Sequence, residues 1–499
     1  MTLAVVKTRA RLGMNAPQVT VEVHLSNGLP AFNIVGLPDA AVRESKERVR
    51  SAILNSEFDF PQRRITINLA PADLPKDGGR FDLPIAIGIL AASEQIPEAP
   101  LASHEFVGEL ALSGELRPVE GVLTASLAAA EAKRSLFVPQ ANAEEAAVPG
   151  HCRVLACKHL LQVCGNLKHP DSAEPYLPQH QPHEDTDELY PDLADVKGQH
   201  QAKRALEVAA AGKHNLLLMG PPGAGKSMLA ARLPGILPPM TDAEMMETAA
   251  IHSVSRINQR PLFQRPIRAP HHTASGVALA GGGSNPKPGE ISLAHNGILF
   301  LDELPEFPRK VLEVLREPLE TGEIAISRAA QQVTYPANFQ LIAALNPCPC
   351  GHPEQPPEGC NNPQQCCNKY QSKLSGPLLD RIDMHVQVDA LPISELQMLE
   401  GGESSACVRD RVTCARQIQL QRQGCPNHDL SSKQLDNVCG LSKADAGFLQ
   451  TAVERLGLSA RGYHRVLKVA RTLADLEQTP DLNKRHLTEA LSYRALFAV

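Results

Sequence analysis

One octapeptide constrains this chain more than any other feature: Gly220-Pro221-Pro222-Gly223-Ala224-Gly225-Lys226-Ser227 matches G-x-x-x-x-G-K-[ST]. It follows a short apolar run, His214 to Met219, and opens a predicted helix, which is the setting the motif needs to act on phosphate. The glycines let the loop curl its backbone N–H groups around an anion, and the helix N-terminus adds positive potential. Lys226 is then expected to reach the β and γ oxygens of ATP, and Ser227 to ligate Mg²⁺. A glycine-rich turn followed by a surface lysine is the plain alternative, and the strand–helix context speaks against it.

A second apolar run, Gly297 to Leu301, ends in Asp302 and Glu303. A strand of this kind delivers two acids to the carboxyl edge of a sheet, beside the phosphate loop. Asp302 suits Mg²⁺, and Glu303 suits orienting and deprotonating an attacking water. A third run, Phe339 to Leu345, completes a set of interior strands expected in a parallel sheet buried on both faces. The expected fold class is α/β, with a P-loop domain over 193–388 and a small helical domain over 389–499, where Lys443 to Leu456, His464 to Glu477 and Lys484 to Phe497 have helical spacing. Residues 1–165 read as an α+β domain. In it Gln18 to Leu25 alternates, Asn27-Gly28 signals a hairpin, Asp39 caps a helix through Ala41 to Leu54, and Arg64 to Leu69 forms another strand. Residues 166–192, rich in Pro, His and acids, read as a linker.

Composition excludes several classes of function. With 499 residues, 43% hydrophobic and 21% charged, the chain has the make-up of a soluble multidomain protein. Its longest apolar stretch, Leu83 to Ala92, is too short to span a bilayer, and no signal-peptide pattern opens the sequence, so the expected location is the cytoplasm without membrane partners. A net charge of -6, no tryptophan and 4% aromatics argue against coating nucleic acid by bulk charge or stacking, so DNA contact must be local.

Taken together, the P-loop, Asp302-Glu303, Arg268-Ala-Pro-His271-His272-Thr273, Leu345-Asn346-Pro-Cys-Pro-Cys, Ser375-Gly-Pro-Leu-Leu-Asp380-Arg381-Ile-Asp383 and Ser459-Ala-Arg461-Gly-Tyr-His464-Arg465 resemble the magnesium-chelatase-related AAA+ ATPases of the ComM/YifB group. The resemblance covers nearly the whole chain and implies a homohexameric ATPase and DNA helicase. It would promote branch migration during natural transformation, alongside recombination proteins. It also implies a C-terminal helical lid. By position, Asn346 resembles sensor 1, Arg381 the arginine finger inserted into a neighbouring subunit, and Arg461 sensor 2, with Arg465 one helical turn on as the competing candidate. Val196-Lys-Gly198-Gln199 resembles the segment near the adenine. Gly281 to Gly289, with Lys287, resembles a pore-facing insertion, and Glu323 to Ser327 with Gln332 to Tyr335 a hairpin before sensor 1. There Arg328 or Lys287 would meet DNA phosphates, and solvated hairpin tips carry equal weight.

Pro75-Lys76-Asp77-Gly78-Gly79-Arg80 resembles the Lon-type peptidase fold, a ribosomal S5 domain 2-like α+β architecture, but Arg80 stands where a nucleophile is expected and Leu123 where its base should lie. An activated nucleophile needs its base, so the domain is expected to fold without proteolysing. Cys348, Cys350, Cys360 and Cys366 offer four thiolates to a structural Zn²⁺ in a segment nearly free of large apolar residues. Cys367 or His352 can substitute, and reduced thiols are the equal alternative. A protein-remodelling or metal-chelatase-type AAA+ ATPase shares the same ATP machinery and stays open beside the DNA motor.

Overall fold

The computed structural model describes residues 3–37, 39–170, 173–177, 190–255, 264–283, 286–327, 332–349, 363–392 and 401–494. The chain divides into two compact units: Met1–Pro182 with Asp242–Leu262 and Ser327–Tyr335, and His183–Thr241 with Phe263–Ile326 and Pro336–Val499. No helix among the described residues is long and apolar enough to cross a membrane.

In the nucleotide-loop unit the sheet has five strands, in the order Ile267–Arg268, Ile298–Leu301, Gln340–Leu345, Leu216–Met219, Met384–Gln387. All neighbouring pairs run parallel. All six residues of Gln340–Leu345 are buried, which explains why this strand reads as a continuous apolar run. The helices Ser405–Gln423, Ser432–Val438, Lys443–Arg455, Ala460–Leu476 and Lys484–Ser492 follow. Their apolar faces share one core with His200–Gly212 and the sheet, in which Leu206, Val412, Val466 and Leu487 are joined to Leu216 and Met384.

The amino-terminal unit holds a seven-stranded sheet in the order Ala31–Val35, Arg64–Ala70, Gln18–Ser26, Leu3–Arg9, His104–Phe106, Ser135–Pro139, Val154–Cys157. Helix Asp82–Ala92, buried at every position, packs on the antiparallel half. Asp39 caps Ala40–Asn55 by accepting from Val42 N at 2.7 Å. The hairpin expected at Asn27-Gly28 does not close. Ala31–Val35 crosses to the far side of Arg64–Ala70 and pairs with it in parallel, while Gln18–Ser26 takes Leu3–Arg9 and Arg64–Ala70 as its partners. A turn signal marks only a local reversal and does not by itself decide which strands pair.

Two segments from later in the sequence complete this unit. Helix Asp242–Val254 lays Ala249 and Ala250 against Leu123, and its Ser253 carbonyl accepts from Gly121 N at 3.0 Å. Glu145 accepts from Ser253 Oγ and from Leu123 N, so one half-buried carboxylate serves both this helix and helix Val122–Glu131. Burial raises the pKa of this carboxyl. Tyr335 is fully buried, with its hydroxyl 3.9 Å from where a Cβ at Gly13 would lie. Arg80 is buried as well, its pKa lowered to about 10 by burial, and Asp77 is paired with Arg11 at 3.0 Å.

Candidate functional site

The phosphate loop lies between Leu216–Met219 and helix Lys226–Ala230, at the carboxyl edge of the sheet. Its backbone is fixed by close approach. Gly220 N donates to Leu345 O at 3.2 Å, and a Cβ on Gly220 would stand 2.0 Å from the Val388 carbonyl oxygen. Gly223 and Gly225 take φ of 79° and 90°, which side-chain-bearing residues rarely adopt. Ala224 is nearly buried beneath the loop, and Pro221 and Pro222 stiffen its first half.

Lys226 is nearly buried and folds back onto its own loop. Its Nζ donates to the carbonyls of Gly220 at 2.7 Å and Pro221 at 2.8 Å, and to Asn346 Oδ1 at 3.0 Å. Burial lowers its pKa, and Asp302 and Glu303 pull it back up. Ser227 Oγ donates to Asp302 Oδ2 at 2.6 Å. Four positions singled out by sequence therefore converge: Lys226, Ser227, Asp302 and Asn346. Their donor set fits a nucleotide with Mg²⁺. The loop has room above Gly223, the lysine occupies carbonyls it would give up to phosphate, and a hydroxyl and a carboxylate meet where a hard cation needs oxygens.

Glu303 sits at φ 51°, a strained backbone for a non-glycine residue. Its carboxylate stands 3.4 Å from His272 Nδ1, and its N–H is capped by Asp302 Oδ1 at 2.9 Å. His272 in turn lies beside His271, with ring centroids 4.1 Å apart. The motif contained His272, but sequence gave it no role because its neighbour lies 31 residues away. Gln199, at φ 52°, donates to the carbonyl oxygens of Asp389 at 2.7 Å and Ala224 at 3.4 Å, tying the segment after Val196 to the loop.

Arg381 and Arg461 lie elsewhere. Arg381 precedes Met384–Gln387 and so stands at the amino edge of the sheet, opposite the phosphate loop that follows the parallel strand Leu216–Met219. Its Nη2 is 2.6 Å from Glu320 Oε1, and Arg461 Nη2 is 3.3 Å from the same oxygen. Arg465 instead pairs with buried Asp383. Glu320 had no sequence signal. Of the cysteines, Cys348 is buried and Cys366 half-buried, and Cys350 and Cys360 lie outside the described residues, so nothing here supports the zinc reading. Arg328 also lies outside them, and Lys287 is half-buried in a two-residue pairing with Gly282.

Three family models match this chain: "Magnesium chelatase, subunit ChlI" over residues 192–396, "Subunit ChlI of Mg-chelatase" over 21–142, and "Magnesium chelatase, subunit ChlI C-terminal" over 402–494. The competence protein ComM of Haemophilus influenzae is 53% identical, with 99% of this chain and 98% of that protein covered. The uncharacterized protein YifB of Escherichia coli is 49% identical with the same coverage. The magnesium-chelatase 38 kDa subunit of Cereibacter sphaeroides is 25% identical over 60% of this chain and 90% of its own length.

Proposed function

This chain belongs to the ComM/YifB family of magnesium-chelatase-related AAA+ proteins, and we propose that it is a homohexameric, ATP-hydrolysing DNA motor that drives branch migration as incoming strands recombine during natural transformation. The family suggests an ATPase that uses nucleotide and Mg²⁺. The observation that carries the reading is the division of one catalytic set between two edges of a parallel sheet. Lys226, Ser227, Asp302, Glu303 and Asn346 gather at the carboxyl edge, and Arg381 with Arg461 at the amino edge. Residues so placed complete a site only across a subunit boundary, and an arginine supplied in trans is a recognised means of stabilising phosphoryl-transfer charge.

Within a subunit, the backbone N–H groups from Gly223 to Ser227 bind phosphate. Lys226 exchanges its carbonyl partners for phosphate oxygens, and Ser227 and Asp302 would hold the metal. When bound, Mg²⁺ neutralises charge on the phosphates. Glu303 orients the attacking water and takes its proton, with His272 restraining the carboxylate from the side. Asn346 positions that water or the terminal phosphate. Arg381 acts as finger and Arg461 as sensor 2. Arg465 is committed to Asp383, which favours Arg461 for that role. The helices from Ser405 onward serve as the lid. The amino-terminal unit is a Lon-like domain without proteolytic function, since neither Arg80 nor Leu123 supplies a nucleophile or base. DNA contacts are local, through Arg328 or Lys287.

Three-stranded branch migration tests the proposal. Wild-type protein is expected to move the junction with ATP, and Lys226→Ala and Glu303→Gln to lose movement, with DNA binding retained by the second. A purified oligomer that neither binds DNA nor hydrolyses ATP faster in its presence would sink the DNA reading and return the protein-remodelling and chelatase alternatives.

A further inference from the structure

The Glu320 carboxylate joins the two arginines of the amino edge. It belongs to the short helix Pro318–Thr321, and its side chain is 43% exposed. A single oxygen, Oε1, serves both guanidinium groups, at 2.6 Å for Arg381 and 3.3 Å for Arg461. Arg381 is further retained by backbone. Its Nε donates to the Arg316 carbonyl at 3.1 Å and its Nη1 to the Pro377 carbonyl at 2.7 Å. The residue is only 5% exposed, whereas the Arg461 side chain is 61% exposed. A buried guanidinium with three acceptors of its own does not project toward anything outside its subunit. One carboxylate between two guanidinium groups also leaves a positive charge unbalanced, so the arrangement has room for a second anion.

We propose that Glu320 is an internal counter-ion that retains Arg381 and Arg461 until the phosphates of a nucleotide bound by the neighbouring subunit draw them away. The inference rests on the shared-site reading above and specifies how that site is regulated. The Arg461 pair is exposed on both sides and weakly held, and at the Arg381 pair the carboxylate side is open to water. A polyphosphate at a water-poor interface offers more charge and paired oxygens to the planar guanidinium, so the exchange favours the phosphates when the neighbouring site is filled. Glu320 touches no reacting atom in this scheme and acts through the arginines as a positioning residue.

The test is steady-state ATP hydrolysis by the full-length protein without DNA, together with binding of a fluorescent ATP analogue. Glu320→Gln keeps the shape and removes the charge, and is expected to raise the basal rate and tighten analogue binding about twofold to fivefold, as follows from the strength of such a pair. Glu320→Asp returns both values toward wild type. In an Arg381→Ala, Arg461→Ala background, Glu320→Gln changes neither. A Glu320→Gln protein with an unchanged or lowered rate, a gain that survives loss of both arginines, or a variant that melts well below wild type would each overturn the proposal, the last by making Glu320 a structural residue. Failure of the shared-site reading has a different signature: Glu303→Gln and Arg381→Ala proteins would regain no hydrolysis when mixed, whatever stands at position 320.

Discussion

Asp383 is a fully buried carboxylate held by three hydrogen bonds. It accepts from Asn215 N at 2.8 Å, from His428 Nδ1 at 2.8 Å and from Arg465, and lies 3.9 Å from His214 Nδ1. His214, Asp383 and His428 place their ligand atoms within 4.8 Å of one another. With Arg465 on the carboxylate and Lys468 bonded to the His428 carbonyl, the cluster is a charge-balanced knot and a poor host for a cation. Asp383→Ala removes the acceptor from a buried network and is expected to cost about 3–5 kcal/mol, read as a loss of unfolding free energy in denaturant. His214 and His385 are held neutral by burial, their pKa values lowered to about 3. Arg494 adds to the shift at His385, and Asp383 opposes it at both rings. The native state therefore refuses protons that the unfolded chain takes up, so stability falls as pH drops from about 6.5 toward about 3. Melting temperature against pH is expected to show this slope, and His385→Leu to flatten it. None of this was legible in sequence, because the partners of Asp383 come from positions 214, 215, 428 and 465 and nothing local marks the pairing.

The strand–loop–helix around Gly220 was legible because its determinants are local: an apolar run, glycines where φ must be positive, and a hydroxyl at the helix start. The acidic strand and the Asn346 strand were legible for the same reason, the first buried except at Phe300 and the second through its whole length. Gly220 also carries a tertiary constraint that the motif does not state. Gly220→Ala drives a methyl into the Val388 carbonyl and is expected to abolish measurable ATP-analogue binding while far-UV circular dichroism stays near wild type. Helix Asp242–Val254 teaches the opposite lesson. It has no strong amphipathic pattern to assign its partner, and only the structure pairs Ala249 and Ala250 with Leu123. Leu123→Asp puts a charge into that contact and is expected to raise hydrogen exchange across 242–254, with Leu216–Met219 and Gln340–Leu345 unaffected.

On the scale of the whole molecule, the carboxyl-edge half of the candidate site could be read from motifs, whereas the amino-edge half needed the order of the parallel strands. Sequence named Arg381 and Arg461 by resemblance but could not say that they share a partner on the edge away from their own phosphate loop. If the site is shared, subunits with complementary defects rescue one another. Glu303→Gln and Arg381→Ala proteins, each inactive alone, are expected to regain hydrolysis when mixed, to about a quarter of wild type or less, in a coupled ATPase assay. The amino-terminal unit has a different consequence for anyone dividing the protein. Because Asp242–Leu262 and Ser327–Tyr335 belong to it, it is not a contiguous stretch of chain. Cutting in the linker would strip Ser253 and Tyr335 from one fragment and leave their apolar surfaces bare on the other. A usable truncation has to carry these segments across as grafts, and the two units are better regarded as interleaved than as modules in series.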